Sequence, residues 1–167
     1  MMPRTPGDAS RDRDSAGRPR SARPRDALGR PLAHGAPGEE RVPDDLLLPP
    51  EEAVVLAQRL LDSDRPFHAH EVLEASWKAA PDAERELWRG LAQVAVGLTH
   101  AQRGNARGAA ALLRRGGQAV GRYAAAAPHG VDAAGIARAC AQLAARIETD
   151  GAGAVPVQDL RLRLTAR

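Results

Sequence analysis

Cysteine, lysine and aromatic residues are scarce in this chain. Its 167 residues include one cysteine, one phenylalanine, one tyrosine and two tryptophans, and Lys78 is the only lysine. A lone cysteine, Cys140, excludes an internal disulfide and a zinc site built from cysteines. No apolar run approaches the roughly 18 residues that suggest a membrane span. The charged start from Arg4 onward lacks the apolar stretch of a secretory signal. The expectation is a soluble, cytoplasmic protein with no membrane partner. β-Hairpin signals are also missing, which argues against a sheet.

Charge is present but uneven. Glu51 to Glu86 holds nine acids and four basic residues, whereas Gly97 to Val131 holds Arg103, Arg107, Arg114, Arg115 and Arg122 and no acid. A basic helix could bind phosphate or nucleic acid. No nucleic-acid motif or aromatic platform accompanies these arginines, so complementary packing between helices or between two copies is the favoured reading.

Residues 1–48 are rich in Pro, Gly, Arg and Asp, show no apolar period, and read as a disordered or extended N-terminal extension. Its Arg18 to Pro31 segment carries five arginines against Asp26 and reads as a solvated arm. Residues 49–150 read as one all-helical domain. Val54, Val55, Leu56, Leu60 and Leu61 give a first helix from about Pro50 to Leu61. Asp64 is placed to cap a second helix, with Pro66 in its first turn, running to about Ala80. Asp82 is placed to cap a third, about Ala83 to Arg103, whose only charge between Leu87 and Ala101 is Arg89. A helix apolar almost all round should be central. Gly104 and Asn105 read as a stop and a new cap. The fourth helix extends to about Ala127, and Gly116, Gly117 and Gly121 permit a close contact or a kink. The fifth starts at Asp132 with Ile136, Cys140, Leu143 and Ile147 on one face. Residues 151–167 read as an extended tail. Short connections imply antiparallel neighbours, hence an all-α bundle of about five helices.

The chemistry concentrates in Pro66 to Lys78, which holds two of the five histidines and two of the four aromatics. At about 100° per residue, His70 and Trp77 lie about 20° apart, with Leu73 beside them on the apolar arc of the helix, and Glu74, about 40° from His70, lies on the border of that arc. His68 points about 160° away from His70. On the third helix Arg89, Gln93 and His100 form a narrow polar strip, interleaved with Gly90 and Gly97. In an antiparallel pair Gln93 comes level with His70, and His100 lies about two turns farther along.

The series His70-x-x-x-Glu74-x-x-Trp77, Trp88-x-Gly90-Leu91-x-Gln93, then His100-x-x-x-Gly104-Asn105-x-x-Gly108-Ala109 resembles the bacterial and archaeal domain-of-unknown-function family 309. The resemblance covers about Pro50 to Tyr123 and implies an all-helical fold. It also implies that the HxxxExxW motif binds metal, since members are sometimes labelled metal-dependent hydrolases. The positions it carries over are His70, Glu74 and Trp77, with Gln93, His100 and Asn105 secondary. The Arg18 to Pro31 stretch resembles N-terminal extensions of some high-GC members.

Three readings follow from the residues. In the first, His70, Glu74 and His100 hold one divalent ion (Zn²⁺, Fe²⁺ or Mn²⁺) or a small ligand, and Glu71 or Gln93 orients water. In the second, the motif is a hydrogen-bonded core network in a non-catalytic interaction module or homodimer, with Glu74 bonded to Lys78 or Gln93. In the third, the arginines of the fourth helix bind phosphate. Trp77 and Trp88 are expected in the core or an interface, Asn105 as a helix cap, Cys140 as an inert core thiol, and His129 exposed in its Pro-Gly loop.

Overall fold

The computed structural model describes residues 23–33, 35–43 and 45–166. Two compact units divide the chain, Met1–Glu40 and Arg41–Arg167. Residues 1–22, including the first part of the Arg-rich arm, lie outside the described residues. In the described part of the first unit, Arg25 bridges Pro31 in antiparallel fashion. Asp26 organises the turn between them. Its Oδ1 accepts from the Leu28 and Arg30 amides at 3.0 and 2.8 Å, and its Oδ2 accepts from Arg30 Nε at 2.8 Å.

The second unit is an all-α bundle of five helices: α1 (Pro50–Asp62), α2 (Pro66–Ala79), α3 (Asp82–Gln102), α4 (Ala106–Gly121) and α5 (Ala133–Asp150). Each helix packs on the next in sequence, as short connections require. Among the described residues there is no sheet, only isolated bridges. None of their helices is long and apolar enough to cross a membrane.

The breaks follow from local chemistry. Pro66 occupies the first turn of α2, where a missing N–H costs little. Gly104, at φ +79°, ends α3. Asn105 and Asp132 then cap α4 and α5 by accepting from the Gly108 and Gly135 amides. Two expected caps are corrected. Asp82 is the first residue of α3 after Pro81, and its side chain caps nothing. Asp64 lies at φ +59° and turns its carboxylate to the Arg161 guanidinium, two bonds of 2.8 Å. Arg65 instead flanks α2, and no side chain caps that helix.

The core centres on α3, where Leu87, Trp88, Leu91, Val94, Ala95 and Leu98 are buried. Helix α4 approaches it backbone to backbone. A Cβ on Gly116 would lie 2.7 Å from the Gly90 carbonyl oxygen. Helix α4 ends at Gly121, shorter than its apolar pattern suggested, and a turn follows. The C-terminal segment has 3₁₀ turns at Ala152–Ala154 and Val157–Leu160, then runs extended. It buries Leu160, Leu162 and Leu164. Gln58 of α1 clasps it, donating to the Leu162 carbonyl and accepting from the Leu164 amide at 2.7 Å.

Candidate functional site

Helix α2 lies between α1 and α3 and buries two faces. Ala69, Val72, Leu73 and His68 point into the core. His68, expected away from the apolar arc, is therefore a core residue. His70, Glu74 and Trp77 occupy the half-buried edge facing α3, so the core arc is rotated from the one expected. A helix covered on both sides has no single apolar stripe from which rotation can be read.

That edge lines a cavity of about 270 Å³. Trp77 lines it from α2, Arg89, Ala92, Gln93 and Val96 from α3, and Leu112 from α4, beside His70 and Glu74. The antiparallel register thus brings Gln93 level with His70. Glu74 accepts from Lys78 Nζ at 3.2 Å, and its other oxygen is 3.7 Å from His70 Nε2. His70 Nδ1 is buried and meets no hydrogen-bond partner among the described residues. Burial holds its pKa below the usual imidazole value of 6.5 despite the attraction of Glu74 and Glu71. His70 is neutral there, with ring nitrogens suited to coordination or hydrogen bonding.

Three sequence-predicted residues lie elsewhere. Glu71 turns from the cavity and takes Arg41 Nη2 at 2.9 Å. His100 sits near the end of α3 beside Asn105, whose Nδ2 is 3.1 Å from His100 Nδ1 while its Oδ1 accepts from Gly108. Neither His100 nor Asn105 lines the cavity. Burial, then Arg103, pushes the His100 pKa down.

These distances frame the family relationship. Residues 54–112 match the sequence model of a domain of unknown function (DUF309). This stretch is a DUF309 domain. It runs from α1 into α4 and contains every residue that lines the His70 cavity. No curated protein and no solved structure matches the chain.

A second polar cluster escaped the sequence reading. His129 is not exposed in its loop; its side chain is 16 % accessible and wedged between two acids. Nδ1 is 2.9 Å from Glu51 Oε1 and Nε2 is 2.8 Å from Glu84 Oε2. Trp88 Nε1 donates to the same Glu84 oxygen at 3.2 Å. His129 is 78 positions from Glu51 and 45 from Glu84 in the chain, so no local spacing announces the pairing. One arginine of α4 is also engaged across helices. Arg114 makes a two-pronged pair with Glu148 of α5 at 3.0 and 2.6 Å.

Proposed function

We propose that the cavity between α2 and α3 of the DUF309 domain binds a small polar ligand. The convergence of His70, Glu74, Trp77, Arg89 and Gln93 on one cavity carries this reading. Arg89 and Gln93 offer donors, neutral His70 offers a ring nitrogen, and Trp77 with Leu112 offers an apolar wall.

For a metal, the cavity offers two donors. His70 Nε2 and Glu74 Oε2, 3.7 Å apart, could touch one ion. Catalytic zinc sites use three protein donors, and among the described residues no group of three His, Cys, Asp or Glu side chains is arranged to hold a metal. Among the described residues, His70 and Glu74 alone do not make up the donor set of a hydrolase-type centre.

Glu74 also favours a second reading. Lys78 and His70 already engage it, as in a purely structural ladder. Calorimetric titration of the full chain with small carboxylates, amides and imidazoles separates the two. Elemental analysis of untagged protein and thermal shifts with Zn²⁺, Mn²⁺ and Fe²⁺ run beside it. Ligand binding is expected in the wild type and lost in His70→Ala and Gln93→Ala variants that keep their melting temperature. If no probe binds the wild type and His70→Ala only lowers stability, the structural ladder is correct.

A further inference from the structure

We propose that His129 is a proton-operated clasp that fastens the connection between α4 and α5 onto the first turns of α1 and α3. The geometry requires a particular protonation state. Both ring nitrogens lie within hydrogen-bond distance of carboxylate oxygens, at 2.9 Å from Glu51 and 2.8 Å from Glu84. A carboxylate offers only acceptors, so both nitrogens must carry a proton. Neutral imidazole has one N–H and must point a lone pair at the other acid.

The surroundings fit a cation. The ring packs against Trp88 with centroids 5.8 Å apart. The charged groups acting on it are Glu84 of α3 and Glu51 of α1, both acids. Glu84 is further fixed by the Trp88 indole N–H. Burial alone pulls the His129 pKa down, but its bonds to the two acids outweigh that and hold it above 6.5.

The segment resists being held. Ala127 and His129 lie at φ +40° and +58°, a region that side-chain-bearing residues avoid. Its ends are tethered separately: the Tyr123 hydroxyl donates to the Ala83 carbonyl at 2.9 Å, and Val131 bridges Thr165. A backbone held against its preference is released when the contact holding it weakens. Release has a local consequence. Glu84 and Trp88 also line a cavity of about 420 Å³ with Leu47, Pro50, Ser76 and Pro81. Loss of the His129 proton leaves the Glu84 carboxylate unneutralised at that wall.

Hydrogen exchange of the full chain, read by mass spectrometry over residues 122–131 from about pH 5 to about pH 9, tests this across the histidine range. With intrinsic rates corrected, wild-type protection should fall about tenfold as pH rises, the scale of one charge-assisted hydrogen bond. The His129 ring protons should titrate over the same interval by NMR. His129→Asn keeps a residue that tolerates the left-handed backbone and should show low protection at every pH. Glu84→Gln should shrink the pH response without unfolding the bundle. A wild-type response that persists unchanged in both variants, or protection that is flat with pH, overturns the clasp.

Discussion

At the scale of single residues, the two best-placed histidines bend the pH profile of stability in opposite directions. The folded pKa of His70 is lowered, so stability falls as the pH drops through 6.5, where the unfolded chain gains a proton first. The folded pKa of His129 is raised, so its contribution is complete below 6.5 and fades as the pH climbs through the folded value. Glu51 and Glu84 have folded pKa values below 4.5, so their share fades as the pH falls through those values. The clasp is strongest between about 4.5 and 6.5. Urea midpoints across pH should therefore show a weaker acid-side decline in His70→Gln and a weaker alkaline-side decline in His129→Asn. Cys140 is buried and its thiol is pushed up to about 12. An aromatic disulfide reagent should label it only in denaturant, at the rate of unfolding. Asn105→Ala removes the α4 cap and should cost about 1 kcal/mol in the same urea assay.

At the scale of helices, the α3–α4 contact depends on missing side chains. A Cβ on Gly116 would meet the Gly90 carbonyl at 2.7 Å and Val94 N at 2.9 Å. Backbone atoms cannot swing away as a flexible side chain can, so the helices must separate. Gly116→Ala should cost about 1 to 3 kcal/mol by chemical denaturation, although alanine is the better helix former. Gly153→Ala is the control, since nothing lies within 4 Å of its Cβ. Its effect should stay within about 0.5 kcal/mol.

For the second unit taken whole, the C-terminal segment belongs to the fold. Leu164 is 1 % exposed, and its carbonyl accepts from the Asp132 amide at 2.9 Å. Leu164→Ala should cost about 2 to 5 kcal/mol. Arg161→Ala breaks a well-formed but exposed pair with Asp64 and should lower the urea midpoint far less than Leu164→Ala, because solvent screens exposed pairs. Equal losses from the two substitutions would show that the segment is held by charge rather than by packing.

The sequence by itself determined the helices, because period, proline, glycine and caps act within a few residues of one another. It placed Gly104 and Asn105 at the α3–α4 break and made α3 the centre, since Arg89 is the only charge between Leu87 and Ala101 and so apolar a stretch is driven into the core. It also brought Gln93 level with His70, because a short turn at Pro81 leaves only an antiparallel register. Only the tertiary structure decided which face of α2 meets the core, since covering from α1 and α3 outweighs its weak stripe. Only the fold could join His129 to Glu51 and Glu84, because such pairing depends on distance in space. The same reason excludes His100 from the His70 cavity: it shares a strip with Gln93 but lies about two turns along a rigid helix.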